Sequence, residues 1–408
     1  MTFPNGLRAL NHPDFRRFFL AQMVSLVCGW MQTVAQSWLV LQLTGSPLRL
    51  GLIGTLQFGP ILLFSVFTGA VADRLPKRRV LVVTQLTLAM LALAMAGLVA
   101  TGHVRYWHVG VVAVLAGLAQ TFDSPARQSF MAEMVGKADL ANAVALNSAS
   151  FNAARIVGPA IGGLLIARVG VAPAFVLNAL GLMVVVVALL TLTPRGAAPA
   201  RRGTTMLQEI GEGLGYAART PMIRLILGLL LTVSITVFNF TVYVPLLARQ
   251  VLGLGAEGFG FLMAALGVGA VTGALTVGFR RAPEPPVGHM MIAAAVALGC
   301  LLGLSTVHTT WMAVPLLFVT GFFGLMLVAS CNTRLQLAAP DELRGRMMSL
   351  YTLVWGGVFP IGAFCVGAIS EAWNVSMAFR VQGSAGLFGL VALILWWRQR
   401  PGDARPLG

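Results

Sequence analysis

The sequence predicts an all-α integral membrane protein, with twelve transmembrane helices arranged as two six-helix repeats. Three observations predict it. Apolar runs long enough to cross a bilayer recur along the chain, and a spanning helix needs about 20 mainly apolar residues. Of the 408 residues, 57% are hydrophobic and 10% charged, where soluble domains average about 25% charged, so a water-soluble core is excluded. The basic residues also fall on alternate connections, as a multi-pass topology requires.

Taken in order, Met1 to Arg17 is polar and basic. The apolar run behind it is too long for a signal-peptide core and has no small-residue cleavage site, so it is expected to stay as the first helix. The predicted spans are 18–43, 50–72, 80–101, 107–123, 141–167 and 172–193, then 223–247, 258–279, 287–306, 310–330, 347–369 and 376–397. Residues 1–193 form an expected N-terminal bundle, 194–222 a linker and 223–408 a C-terminal bundle. In the linker, Leu207, Ile210, Leu214 and Ala217 recur at helical spacing, the pattern of an amphipathic helix lying at a membrane surface.

The net charge of +15 raises the question of a nucleic-acid partner. The basic residues are scattered over many short loops, which argues against one. Of the 28 Lys and Arg residues, Arg49, Arg105, Arg168, Arg249 and Arg380 lie on one side, Arg155 lies inside a helix, and the rest lie on the side of the termini. The positive-inside rule puts both termini in the cytoplasm. Cys28, Cys300, Cys331 and Cys365 sit in or at the end of apolar runs without CxxC spacing and read as small apolar residues. No metal site, no cofactor and no disulfide framework is expected. There is no Walker sequence, so ATP is not a coupling partner of this chain.

The two halves look related. Each has a loop after its second helix, Gly69 to Leu81 and Gly273 to Arg281. Each has a polar loop after its fourth helix, Arg127 to Asp139 and Arg334 to Arg346, leading to a Pro-Gly-containing helix. Two repeats of this kind are a transporter architecture, with the substrate path at the repeat interface.

The first loop reads Gly69-x-x-x-Asp73-Arg74-x-x-Lys77-Arg78, and it resembles the loop motif of the major facilitator superfamily. The resemblance implies that these charges pair with the ends of other helices and latch one state, with Asp123 as the second acid of the relay. Plain positive-inside anchoring is the other reading. Pro76 stands where the motif has a second glycine, so a left-handed turn is replaced by a fixed φ. On the fifth helix, Ala145, Ala154, Gly158, Pro159, Gly162 and Gly163 match the spacing of the superfamily's antiporter motif, with alanine at its first two glycines. That resemblance implies export; small-residue packing is the alternative. The whole chain resembles the bacterial exporter branch that includes the enterobactin exporter and drug:proton antiporters. Asn11-His-Pro-Asp-Phe-Arg16, Trp30-x-Gln32 to Trp38, Leu43-Thr-Gly-Ser46, Asn142-Ala143 and Ala154-Arg155 to Pro159 carry it.

Polar groups inside the spans are candidate substrate contacts. Gln22, Ser25, Gly29, Gln32 and Gln36 form one stripe of the first helix, and Thr232, Thr236, Asn239 and Tyr243 form its counterpart on the seventh. Each stripe lines a cavity or bonds to neighbouring helices. Ser148, Asn152 and Arg155 share a face of the fifth helix. Arg155 either faces the cavity, supporting an anionic or acceptor-rich substrate, or clamps backbone carbonyls. Among the aromatics, Tyr351 and Trp355, with Trp30, Trp38, Phe238, Phe240, Phe322 and Phe323, suit a flat amphipathic ligand or ordinary packing. Asp123, Glu257 and Glu371 are the only acids near the spans, each at a helix end.

The resemblance therefore implies an inner-membrane exporter of amphipathic drugs or small siderophore-like metabolites, a monomer working by alternating access, with the proton as coupling ion and Asp73 or Asp123 as its nearest sites. The rivals are an importer, a lipid-acting enzyme and a membrane scaffold or sensor; the enzyme lacks a carboxylate or histidine cluster.

Overall fold

The computed structural model describes residues 5–192, 206–279, 284–340 and 343–399. Parts of the expected linker and of both later inner loops, including Arg280, Arg281 and Asp341, lie outside them. A 3-10 turn, Asn5–Asn11, leads into α1 (Pro13–Thr44). There follow α2 (Pro47–Arg74), α3 (Lys77–Ala100), α4 (Tyr106–Val169), α5 (Ala172–Thr191) and α6 (Met206–Arg219). Next come α7 (Pro221–Thr236), α8 (Phe240–Leu246), a π-helical turn (Leu247–Val251), α9 (Ala256–Gly278) and α10 (Val287–Leu304). The chain ends with α11 (Thr310–Ala338), α12 (Arg344–Gly356), α13 (Phe359–Ala372) and α14 (Val375–Arg398). Among the described residues, 12 stretches are long and apolar enough to cross a membrane. The all-α, twelve-span expectation holds.

Three boundaries differ from the sequence reading. The predicted polar loop after the fourth helix is helical, and α4 runs on through it. Ala126, Met131, Met134 and Val135 are buried in one apolar cluster with Phe15, Phe18, Leu81 and Leu189, so the polar stretch keeps one packed face. The chain turns only at Gly136, whose φ of 71° is readily reached by glycine alone. The predicted seventh helix is divided into α7 and α8. The division falls at 237–239, where Val237 and Phe238 both bond back to the Val233 carbonyl; Pro245 lies beyond it, inside α8. The eleventh is divided into α12 and α13 at Gly357 and Val358.

The short connections follow their residues. Gly45 closes α1 at φ 64°, its N–H on the Leu41 carbonyl, a left-handed cap. Ser46 then caps α2, accepting the Arg49 N–H at 3.2 Å, and Pro47 takes the first helical position, where its missing N–H costs nothing. Between α2 and α3 only Leu75 and Pro76 intervene, and Pro76 sits at φ −59°. The tight link is made without the left-handed turn a glycine would allow.

The chain forms two compact units. One holds residues 1–45, 59–203 and 256–261; the other holds 46–58, 204–255 and 262–408. Both α2 and α9 are thus shared, each lending a short length to the other unit. In the first unit α1 packs on α4 and α5, and α3 on α4 and α5. In the second, α10 packs on α11 and α14, and α7 on α11, α12, α13 and α14.

Candidate functional site

The polar residues of the first unit gather at two levels. At the first, Asp123 is 2% exposed yet surrounded by donors. Thr84 Oγ1 donates to its Oδ1 at 2.8 Å and Gln85 Nε2 to the same oxygen at 2.7 Å. Arg127, one turn on, donates from Nε to Oδ2 at 2.9 Å and closes a salt bridge through Nη2. Arg127 Nη1 also donates to Gln22 Oε1 on α1. A buried carboxylate is tolerable only when paired and hydrogen-bonded, and here α3 and α4 supply the partners, with α1 joined through Arg127. Thr84, Gln85 and Arg127 were not singled out from the sequence. The available signal was the i, i+4 spacing of Asp123 and Arg127 in a stretch read as loop.

At the second level, Gln32 Oε1 accepts from Asn178 Nδ2 on α5 at 2.6 Å. Ser25 is buried and Gln36 half-buried. Arg155 is 8% exposed, with its guanidinium carbon 5.9 Å from the centre of the Trp30 ring. Trp30 meets Phe151 edge to face at 5.7 Å. A cation over an indole face is attracted by the ring quadrupole. Asn152 turns inward on its own helix, donating to the Ser148 carbonyl at 2.9 Å, while the Ser148 side chain is exposed.

The antiporter-like segment explains this closeness. A Cβ on Gly158 would lie 2.5 Å from Trp30 Cβ and 2.7 Å from the Val27 carbonyl oxygen. One on Gly162 would lie 3.1 Å from Met31 Cα. Gly163 faces Gly260 of α9, 2.7 Å from a Cβ to its Cα. Gly158 and Pro159 are buried, Ala154 is 1% exposed, and Ala145 is exposed. The glycines let α4 touch α1 backbone to backbone, and this places Arg155 beside Trp30.

The loop-motif residues are placed in part. Arg78 Nη2 donates to the Leu190 carbonyl at 2.6 Å, a cation on the last turn of α5. Lys77 opens α3. The side chains of Gly69, Asp73 and Arg74 lie outside the described residues. Nearby, the turn before α1 is strapped to α4. Arg8 Nε meets Asp139 Oδ1 at 2.6 Å, His12 Nε2 lies 2.8 Å from Asp139 Oδ2, and the Ala9 N–H donates to Asn142 Oδ1 at 2.8 Å. Two of the signature segments, Asn11 to Arg16 and Asn142-Ala143, are thereby brought together.

In the second unit the polar stripe closes on itself. Asn239 Nδ2 donates to the Ile235 carbonyl at 2.7 Å and Tyr243 Oη to the Thr236 carbonyl at 3.2 Å. Thr236 Oγ1 donates to the Thr232 carbonyl at 2.6 Å. The Asn239 and Tyr243 bonds satisfy carbonyls freed where the helix divides, which an apolar surrounding demands. Asn239 is 0% exposed and its Oδ1 has no hydrogen-bond partner among the described residues; Tyr243 stacks on Phe379 at 4.8 Å. Tyr351 Oη donates to the Val328 carbonyl at 3.2 Å. Trp355 meets Phe238 at 4.3 Å, and Phe238 meets Phe240 at 5.4 Å. Among the described residues no group of His, Cys, Asp and Glu could hold a metal ion.

The family model for transmembrane secretion effectors, of the major facilitator superfamily, matches residues 5–406. The chain belongs to that family. This transmembrane secretion effector is 30% identical over 387 residues to the multidrug efflux pump Tap of Mycolicibacterium fortuitum, covering 89% of this chain and 90% of that one. It is 28% identical over 385 residues to the enterobactin exporter EntS of Shigella boydii serotype 18, covering 94% and 90%. Its fold matches a bacterial homologue of the human lysosomal transporter Spinster, in an inward-facing and occupied conformation, with a TM-score of 0.75 at 12% identity, over 96% of this chain and 98% of that one. The nucleoside transporter NupG matches with a TM-score of 0.72 at 14% identity, over 95% and 100%. At such identities the likeness is one of fold. The secretion effector is a multi-pass membrane transporter of small molecules and not an enzyme.

Proposed function

We propose that this protein exports amphipathic drugs or small siderophore-like metabolites from the cytoplasm across the bacterial inner membrane, by alternating access and in exchange for protons. Both termini are cytoplasmic in this reading, the monomer is the working form, and residues 1–193 and 223–397 are the moving bodies. The Asp73 loop latches the cytoplasmic side, and the proton passes through Asp73 or Asp123.

One observation carries the reading: a buried arginine, on the helix that bears the Gly-Pro-x-x-Gly-Gly core, set beside a tryptophan of α1. A guanidinium beside an indole face offers donors for acidic or acceptor-rich groups and an apolar plane for a flat ring. That pairing suits an amphipathic molecule better than a sugar or an inorganic ion. The names of the relatives, an efflux pump and a siderophore exporter, agree with it.

The test is flux in proteoliposomes over a panel of lipophilic dyes, drugs and a catecholate siderophore, with and without an imposed pH gradient. Gradient-driven flux is expected, reduced about 10-fold or more in Arg155→Ala, the loss of one charge-assisted hydrogen bond. Undiminished flux in a well-folded Arg155→Ala removes the arginine from the site. Flux indifferent to the gradient removes proton coupling, and energy-dependent accumulation in cells makes the protein an importer.

A further inference from the structure

Residues 46–58 belong in sequence to the first repeat but pack within the second unit. They run antiparallel to α13, and the contacts form successive rungs. Phe58 meets Phe359 with ring centres 4.5 Å apart. Thr55 Oγ1 donates to the Pro360 carbonyl at 3.0 Å. At Gly51 a Cβ would lie 2.4 Å from the Ala363 carbonyl oxygen and 3.0 Å from Gly367 Cα, so the two backbones touch. The last rung is polar. Glu371 Oε2 accepts from Ser46 Oγ at 2.7 Å and from the Leu48 N–H at 3.2 Å.

The chemistry of that rung differs from the others. Leu48 is in the first turn of α2, where N–H groups have no partner in their own helix. A carboxylate there meets both a free donor and the positive end of the helix dipole. Glu371 thus caps a helix 325 positions away in the chain. It also explains a signature segment that the transport site leaves unused. In Leu43-Thr44-Gly45-Ser46, Gly45 ends α1, and Ser46 begins α2 while presenting its hydroxyl to Glu371.

We infer that Glu371 is a positioning residue of the transport cycle: by capping α2 it holds the 46–58 half-helix on α13, and that cap is broken each time the far side of the path opens. The inference rests on the alternating-access reading. The glycine and aromatic rungs are short-range contacts that fit one packing. The cap is the charge-assisted member at the end of the row, where separation begins.

The test is double electron–electron resonance in nanodiscs, with spin labels at Trp107 and Trp311, on a background in which the four native cysteines are replaced. Both tryptophans are exposed, at 58% and 89%, near the starts of α4 and α11. In Glu371→Ala the long-distance population is expected to rise about two- to five-fold, the scale of one exposed charge-assisted contact acting on a two-state equilibrium. Ser46→Ala, a milder change that keeps the carboxylate, shifts it in the same direction by less. Glu371→Gln, which keeps an acceptor without the charge, lies between. Distributions identical to the parent in Glu371→Ala and Ser46→Ala overturn the inference. The readout needs no substrate, so a shifted distribution in a protein that moves nothing in liposomes leaves the cap standing and removes the export reading. Gradient-driven flux with unshifted distributions does the reverse.

Discussion

The polar stripes of α1 and of α7–α8 have nearly the same spacing and opposite uses. On α1 the helix is continuous, and its polar groups reach other helices: Gln22 to Arg127 on α4 and Gln32 to Asn178 on α5. On α7–α8 the helix is divided, and Thr236, Asn239 and Tyr243 bond to carbonyls of their own segment. A side chain in an apolar surrounding takes the nearest free partner. For the glutamines of α1 that partner is on a neighbour. Where the turn at 237–239 has opened the ladder, it is the helix itself. The first stripe ties a bundle together; the second keeps a break tolerable.

Four perturbations would break or sharpen that contrast. The largest effect is expected from Asp123→Ala, which strands Arg127 and unties α1, α3 and α4 together. Removing one partner of a buried ion pair costs about 3–5 kcal/mol, to be read as loss of monodisperse protein on size-exclusion chromatography and a lowered Tm in detergent. A Tm equal to the parent's would show that the cluster does not bind the bundle. Next come the glycines facing each stripe. Gly158→Val would press on Trp30 and Val27, and Gly362→Val on Asn239 and the Ile235 carbonyl, where even a Cβ lies at 2.3 Å and 2.4 Å. Overpacking costs about 1–3 kcal/mol. If the contrast is right, Gly158→Val lowers Tm and strips Trp30 from Arg155, while Gly362→Val mainly changes transport by disturbing the break; proteoliposome flux beside thermal melts separates the two.

A smaller effect is expected from Tyr243→Phe, which frees the Thr236 carbonyl at about 0.5–1.5 kcal/mol. Flux should fall with little change in Tm. A fall in Tm matching that of Gln32→Met would erase the distinction between the stripes. The smallest is Arg8→Ala. Arg8 is 54% exposed in its pair with Asp139, and exposed pairs contribute about 0–1 kcal/mol. Its loss should be invisible in Tm, whereas Asp139→Ala, which also releases His12, should be measurable by faster proteolysis at the N-terminus.

The fold was largely legible because a bilayer leaves few choices. Twelve apolar runs can only be twelve helices when no water is present to satisfy an open backbone. The Gly158 to Gly163 segment was legible as a site of close approach, since glycine at helical spacing has little other purpose there. The α4 extension through residues 124–139 was not, because its polarity hid the buried face of Ala126, Met131 and Met134. The break in α7 was missed as well. Pro245 lies beyond it, inside α8, and what makes the division tolerable is that Asn239 and Tyr243 reach the freed carbonyls.

The sequence by itself determined the membrane, the number of spans, the family signatures and which residues carry polarity inside the apolar runs. Each follows from local composition and spacing, set against the cost of a polar group in hydrocarbon. Only the tertiary structure decided the partner of each polar group. It set Gln22 on Arg127, Arg155 on Trp30 and Glu371 on the start of α2. Those pairings join residues more than a hundred positions apart, and a hydrogen bond acts over about 3 Å, a distance that sequence spacing does not encode.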